Sequence, residues 1–302
     1  MYIGFAGLGR MGVPMAARLI GAGHTVIAYD VYLTGTAALP AALQAGNTRV
    51  ASSPAQLAAT DISISMLPNA AITESVLFGP NGILTAAGPG HVHVVMGTVG
   101  PAAVRDFAQR AAQSKIVVAD APVSGSVSLA QTGELTAMVG ADPDLFQRLQ
   151  PLLATMSHKQ FHVGPPGAGS AAKLAVNSVL AALNQGIAEA IVMAQAGGVA
   201  PGDLYQVLDS SAVSAPYVDY KRQNFLDPDG TAVAFALSLL RKDVALGLEL
   251  AGQYDLDLPQ AQTVGRVLDR AVDAGLGDHD MAAVLKLVRG DSSTAGRLRR
   301  QP

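Results

Sequence analysis

Tyr2-Ile3-Gly4-Phe5-Ala6-Gly7-Leu8-Gly9-Arg10-Met11-Gly12, running on through Val13–Ile20 to Thr25-Val26-Ile27-Ala28-Tyr29-Asp30, is the stretch that decides the fold. Its first five residues form a short apolar run that reads as a buried strand. Val13 to Ile20 carries helical apolar spacing and ends near Gly21 and Gly23. Thr25 to Tyr29 is a second apolar run, closed by an acid. Strand, glycine turn, helix, strand and acid is the order that a dinucleotide-binding βαβ unit requires. Gly7 permits the tight turn, Gly9 lets the backbone approach a pyrophosphate, and Gly12 allows close packing of helix on strand. Leu8, Arg10 and Met11 complete the loop, whose N–H groups and helix dipole would face the anion. Asp30 lies about 20 residues on, where a carboxylate reaches a ribose 2′-hydroxyl and repels a 2′-phosphate. The expected cofactor is therefore NAD rather than NADP, with Arg10 the one loop residue able to meet a phosphate.

The 302 residues allow two domains, and half of them are apolar, with a formal net charge of −3. Mild acidity argues against nucleic acid as a partner. There is no cysteine, hence no disulfide, thiol nucleophile or thiolate metal site. No leader segment is read at Met1, and a cytoplasmic location is expected.

Beyond Asp30 the chain alternates. Thr34 to Asn47 reads as helix, and Thr48-Arg49-Val50 as a weak strand. Ser52-Ser53-Pro54 reads as a serine-capped helix start, and Ile62–Leu67 as a strand stopped by Pro68-Asn69. Ala70–Phe78 reads as helix and His91–Met96 as strand. A helix runs from Pro101 to Ala112, followed by strands at Ile116–Ala119, Leu135–Val139 and Gln160–Val163. Strands alternating with helices predict an α/β domain with a doubly wound, mostly parallel sheet over residues 1–165. Ligands of such sheets lie beyond the strands' carboxyl ends, which points to Pro68, Thr98 and Ala121. From Gly167 the pattern becomes helical. Ser170–Gln195 reads as one long helix, and an all-α domain is expected over 166–302, with 166–196 as an interdomain helix. A membrane span is the competing reading of that apolar helix. Lys173, Asn177 and Asn184 fall within about 40° of one another at 100° per residue, a polar stripe that needs protein partners and argues against lipid. The tail from Gly290 is small, polar and basic.

Three groups of residues offer chemistry. Lys173 stands among Ala171, Ala172, Leu174, Ala175 and Val176. Partial desolvation there would lower an amine from its ordinary ~10.4 toward a working pH. It is either a general acid–base or a lysine snorkelling near a helix start; Asn177 faces the same way and could hold the amine or a substrate oxygen. Asp120-Ala121-Pro122-Val123-Ser124-Gly125-Ser126 with Gly133-Glu134-Leu135-Thr136 is either an ordinary turn or a loop of small residues suited to a carboxylate. Phe235 with Lys242-Asp243 is either a charged surface or part of a site. The scattered histidines and acids have no metal-ligand spacing.

Together these residues resemble the β-hydroxyacid dehydrogenase family, over nearly the whole chain. Gly7 to Ala16 matches its amino-terminal signature, including Pro14-Met15. Met66-Leu67-Pro68 matches the cofactor-side strand end, and Gly167-Ala168-Gly169 through Lys173 and Asn177 the catalytic helix. Phe235, Lys242 and Asp243 match a carboxy-terminal motif, and Gly277-Asp278-His279-Asp280 a closing G-x-G-D-x-D segment. The resemblance implies a Rossmann-type domain, a long interdomain helix and an all-α domain that builds a homodimer or homotetramer. It implies that Lys173 transfers the proton, Asn177 orients substrate, and Ser124, Gly125 and Ser126 hold a small-molecule carboxylate. Asp243 would line the substrate site, while Thr98, Phe235, Lys242, Met66, Leu67 and Pro68 would serve the cofactor, with no metal. The chain departs from the family at Met96-Gly97, where Asp-Ser is usual, at Ser126 in place of a glycine, and at Val176 in place of an asparagine. Ser126 adds a hydroxyl where the carboxylate would lie and points to a different or more polar acid. The function expected is NAD-dependent hydride transfer to or from a small 3-hydroxy acid or its semialdehyde. The alternatives are a non-catalytic dinucleotide binder and an imine reductase of the same superfamily, and retention of Lys173 counts against both.

Overall fold

The computed structural model describes residues 1–33, 39–44 and 48–290. They form two compact units that divide between Lys173 and Leu174, inside one long helix.

In the first unit the chain runs β1 (Tyr2–Ala6), α1 (Gly12–Gly21), β2 (Thr25–Tyr29), α2 (Ala41–Gln44), β3 (Thr48–Val50), β4 (Ile62–Ser65), α3 (Ala70–Phe78), α4 (Ile83–Ala86), β5 (Val92–Val95), α5 (Pro101–Ala112) and β6 (Val117–Asp120). It continues through β7 (Val123–Ser124), α6 (Val127–Thr132), β8 (Leu135–Gly140), α7 (Pro143–Leu153) and β9 (Ser157–Gly164) before α8 (Ala168–Ala196) begins. The sheet order is β3-β2-β1-β4-β5-β6-β8-β7, with β9 also on β8. The first six strands pair in parallel in the 3-2-1-4-5-6 order of a dinucleotide-binding sheet, while β8 runs antiparallel to β6 and β7. Two apolar layers cover its faces. One joins Ile3, Phe5, Val26, Ile64 and Val94 to Met15 and Leu19 of α1. The other joins Val95 and Val118 to Leu77, Val104 and Phe107. Burying each such side chain contributes about 1.5–3 kcal/mol.

Two sequence expectations change here. Pro54–Ala59 is a 3₁₀ helix, and Ser53 makes no capping hydrogen bond. With Thr60 extended straight into β4 there is one short connection to fill, which a tight 3₁₀ turn does. Within Thr34–Asn47 the described helix is the single turn Ala41–Gln44; the remainder of that expected helix lies outside the described residues, apart from Leu39-Pro40, which is not helical. The expected polar tail beyond Gly290 also lies outside them.

One polar chain is sunk in this core. Ser63 Oγ lies 2.7 Å from His91 Nε2 and 2.8 Å from His93 Nδ1, and Ser65 Oγ lies 2.9 Å from His93 Nε2. All four residues are buried. His91 also bonds to the Thr60 backbone; since a carbonyl only accepts, the network can be oriented from that end. His91 donates to Thr60 and accepts on Nε2 from the Ser63 hydroxyl, Ser63 accepts from His93 Nδ1–H, and the Ser65 hydroxyl donates to His93 Nε2. Every bond is satisfied with both rings neutral.

The second unit is helical: the remainder of α8, then α9 (Pro201–Asp209), α10 (Pro216–Leu226), α11 (Leu237–Gly252), α12 (Pro259–Ala271) and α13 (Val284–Arg289). Three of these, α9, α10 and α12, begin at a proline, as its fixed φ favours. Tyr205, Phe225, Leu240, Val264, Leu268 and Leu285 build its core around Ala181, Ile187 and Ile191 of α8. By length and composition α8 is apolar enough to cross a membrane. Its polar stripe nevertheless meets protein: Asn184 Nδ2 donates to the Met281 carbonyl at 3.1 Å, and the Tyr217 hydroxyl donates to Asn184 Oδ1 at 2.7 Å. It is a core helix. A buried ion pair, Lys221 Nζ at 2.6 Å from both oxygens of Asp280, fixes the far side of this unit. Asp280 also accepts from the backbone of Ala234, Phe235 and Ala282, so the chain entering α11 is pinned to the closing segment.

Candidate functional site

The glycine loop sits at the carboxyl edge of β1. Gly7 has φ +97°, a left-handed value that favours glycine, and an added Cβ would overlap the Met66 carbonyl. A Cβ on Gly12 would overlap the Gly7 carbonyl oxygen, so only glycine lets α1 start this close to the strand. Gly9 is different: nothing lies within 4 Å of where its Cβ would be. The loop is tight on its inner side and open above Gly9, where a pyrophosphate needs the backbone bare. No side chain caps the start of α1, and its first turn contains no acid, so the helix end is unneutralised and suits an anion. Asp30 follows β2 and accepts from Leu8 N at 2.7 Å on Oδ2 and from Tyr32 N at 3.0 Å on Oδ1. Each oxygen keeps a lone pair for a ribose hydroxyl. These residues fit a nicotinamide dinucleotide.

Met66-Leu67-Pro68 and Met96-Gly97-Thr98 continue from the neighbouring strand ends β4 and β5, and Met66 N and Met96 N extend the ladder to Ala6 O and Ser65 O. A Cβ on Gly97 would overlap the Leu67 carbonyl. The departure from Ser to Gly at that position therefore has a packing reason: the two strand ends touch backbone to backbone. Thr98 is partly buried between β5 and α5.

The segment after β6, read from sequence as an irregular loop, holds the short strand β7 and the helix α6. Gly125 has φ +139°, and a Cβ there would lie 2.7 Å from Leu135 Cδ2; Gly133 (φ +80°) ends α6 in the left-handed conformation. Ser126 is the N-cap of α6. Its Oγ accepts from Leu129 N at 3.4 Å and lies 2.6 Å from Ser128 Oγ. The hydroxyl that departs from the family pattern thus has local work, because an N-cap at this point lets the loop close into a helix. Ser124 pairs with Thr136 across β7 and β8.

Asp120 is the residue whose part the sequence left unread. It is fully buried, and its carboxylate accepts from Gly167 N at 2.8 Å and Ser170 N at 2.6 Å. Burial pushes its carboxyl above the ordinary range, while those N–H donors pull it back. The available signal was a strand-end acid facing a helix start, Gly164-Pro165-Pro166-Gly167, that has no capping side chain of its own.

Lys173 lies in the second turn of α8 and is partly buried. Asn177, one turn on along the same face, is 2% exposed, and its Nδ2 donates to Asp243 Oδ2 at 2.6 Å across 66 residues of sequence. Asp243 is itself buried, with Lys242 Nζ 2.9 Å from its other oxygen. With the Asn177 amide nitrogen so engaged, the amide oxygen is left to accept. Phe235 is partly buried and held through its backbone by Asp280 and Met281. Within the first unit the fold gathers the glycine loop, Asp30, Met66–Pro68 and Thr98 along the carboxyl edge. Within the second it gathers Asn177, Lys242 and Asp243.

Comparison with known proteins agrees with this architecture. Residues 2–164 match the NAD binding domain of 6-phosphogluconate dehydrogenase, and residues 167–288 match the NAD-binding region of NADP-dependent 3-hydroxyisobutyrate dehydrogenase. The chain is 37% identical to 2-(hydroxymethyl)glutarate dehydrogenase of Eubacterium barkeri, over 94% of each chain. It is 31% identical to 3-hydroxyisobutyrate dehydrogenase of Pseudomonas aeruginosa, over 95% of this chain and 98% of that one. A solved 3-hydroxyisobutyrate dehydrogenase of Mycobacterium tuberculosis, in a structure with L-serine, superposes with a TM-score of 0.81 at 30% identity, over 95% of this chain and 99% of that one. With a parallel sheet of dinucleotide-binding order, an open glycine turn and matches along nearly its full length, the chain belongs to the β-hydroxyacid dehydrogenase family of nicotinamide-dependent oxidoreductases.

Proposed function

We propose that this protein interconverts a small 3-hydroxy acid and its semialdehyde with NAD, and that Lys173 transfers the proton. When bound, the nicotinamide supplies the acceptor or donor of hydride. Ser124, Gly125 and Ser126 hold the substrate carboxylate through hydroxyl and backbone N–H groups. Lys173 Nζ takes the proton of the hydroxyl as the carbon–hydrogen bond breaks, leaving a carbonyl, and returns it in the reverse direction. Asn177, fixed by Asp243, presents its amide oxygen to the amine or to the substrate hydroxyl. What supports this reading most is the 2.6 Å bond between Asn177 and Asp243: two residues singled out separately, far apart in sequence, are held as one buried unit one turn from Lys173. NAD over NADP is favoured by the carboxylate of Asp30 at the end of β2. We further propose a homodimer or homotetramer, consistent with Val179 and Met193 of α8 being 70% and 74% exposed; light scattering at micromolar concentration tests it.

The direct test is turnover of 3-hydroxyisobutyrate, 2-(hydroxymethyl)glutarate and L-serine, followed by nicotinamide absorbance with native and Lys173→Ala protein. General acid–base loss predicts a fall of about 10²–10⁴-fold with reduced dinucleotide still bound. Near-native turnover by the variant would end the assignment of Lys173. No turnover of the panel by native protein, with dinucleotide bound, would favour the non-catalytic alternative.

A further inference from the structure

We infer that Asp120 is the positioning residue that sets Lys173 against the carboxylate-binding loop. This rests on the proposed role of Lys173. The helix that carries Lys173 starts without a cap of its own: Gly164, Pro165, Pro166 and Gly167 precede it and supply no side-chain acceptor. Ala168 N is met by the Pro165 carbonyl, but the N–H groups of Gly167 and Ser170 would otherwise be unsatisfied in a buried place. Asp120, 47 residues earlier than Gly167, meets that need from the end of β6, one carboxylate oxygen to Gly167 N at 2.8 Å and the other to Ser170 N at 2.6 Å. Room for the carboxylate is built in. A Cβ on Gly140 would overlap Asp120 Oδ1, and a Cβ on Gly169 would come within 3.0 Å of Oδ2.

The consequence lies in what each end of this link carries. Asp120 leads directly into Ala121–Ser126, so its backbone fixes where the carboxylate loop leaves the sheet. Ser170 is three residues before Lys173, about 4.5 Å along the helix axis. One side chain therefore ties the element that would hold the substrate's carboxylate to the element that would take its proton. Both lie within the compact unit Met1–Lys173. Without the carboxylate, Gly167 N and Ser170 N lose their acceptor and the first turn of α8 frays, so that the amine loses its fixed distance from the loop. A misplacement of about 1 Å costs on the order of 10²-fold in rate. Asp30 is held by Leu8 N and Tyr32 N and Asp120 by Gly167 N and Ser170 N, two separate sets of partners, so dinucleotide binding is left alone.

The experiment compares native, Asp120→Ala and Lys173→Ala full-length chains on 3-hydroxyisobutyrate and 2-(hydroxymethyl)glutarate. Readouts are kcat, KM for each reactant, reduced-dinucleotide binding by its fluorescence, and the isotope effect with substrate deuterated at the carbinol carbon. For Asp120→Ala we expect kcat to fall 10- to 100-fold, KM for the acid to rise, dinucleotide affinity to stay within twofold, and the isotope effect on kcat to grow as chemistry becomes limiting. A residue that served stability alone would lower the melting temperature and leave kcat and the isotope effect unmoved; that result overturns the inference. If Asp120→Ala does not fold, Ser170→Pro removes one donor and keeps the carboxylate, since proline is accepted in a helix's first turn. A several-fold loss of kcat is expected there, and native kcat refutes the inference. Should Lys173→Ala turn over normally, the reading of Lys173 fails and this one with it. If Lys173→Ala is inactive while Asp120→Ala matches native kcat, only the positioning role falls.

Discussion

Acid should weaken the first unit through one imidazole. His93 is fully buried, and burial, reinforced by the neighbouring His91, pushes its pKa from 6.5 down to about 3. β4 presents the Ser63 and Ser65 hydroxyls to the ring, and the β6 residue registered opposite is Val118. His91 is lowered too, by its own burial. In the folded protein His93 stays neutral, while in the unfolded chain it binds a proton below pH 6.5. The unfolded state therefore gains protons first, and stability falls as pH drops from 6.5 toward 3. Each unit of pH in that window removes about 1.4 kcal/mol per such histidine, so at pH 4.5 His93 alone accounts for a loss on the order of 3 kcal/mol. That is a large share of the 5–15 kcal/mol typical of a domain. Burial is the structural cause: both ring nitrogens of His93 are partnered by neutral serine hydroxyls, which do not offset the cost of desolvating a charge. Urea unfolding followed by circular dichroism from pH 4.5 to 8 reads the slope, and His93→Gln, which has no ionisable ring, should flatten it by about one proton. The Cε1–H resonance of His93 should not titrate above pH 4. A midpoint near 6.5, or an equal slope in the variant, would refute the reasoning. Because Ser65 leads into Met66, and Met96 lies three residues past His93, dinucleotide binding should weaken over the same range.

Three further outcomes follow from geometry. Asp30→Ala should remove the repulsion of a 2′-phosphate and raise the kcat/KM for NADP relative to NAD; an unchanged ratio would contradict the role given to that acid. Gly9→Ala should keep the native melting temperature yet bind dinucleotide more weakly, because its methyl meets open space in the protein but occupies the pyrophosphate's approach. Gly12→Ala should instead lower the melting temperature sharply, since its methyl has no room against the Gly7 carbonyl; equal behaviour of the two variants would count against this division of labour. Lys221→Met should cost about 3–5 kcal/mol by stranding the Asp280 carboxylate in the core, and urea denaturation within 1 kcal/mol of native would show the pair to be dispensable.

The order of elements was legible because local rules were followed. Apolar runs flanked by glycine or proline became β1, β2, β4, β5 and β6, and Asn69 capped α3 where the sequence stopped a strand with Pro68-Asn69. The glycine loop could be read residue by residue because backbone conformation restricts the residue types allowed there. Reading failed where the determinant was distant. Ser53 resembles a helix cap but heads a 3₁₀ turn, since the length left before β4 decides the outcome. The small-residue segment after Asp120 forms β7 only because β8 is present to pair with it.

Sequence by itself determined the dinucleotide-binding half, the long core helix and the residue types available for acid–base chemistry, because these depend on spacing along one chain. Only tertiary structure decided which polar residues are satisfied by which partners. Asp120 with Gly167 and Ser170, Asn177 with Asp243, Lys221 with Asp280, and the Ser63–His91–His93–Ser65 chain all join residues distant in sequence. A buried polar group must find a partner or lose free energy, and the identity of that partner is a property of packing, which no local pattern encodes.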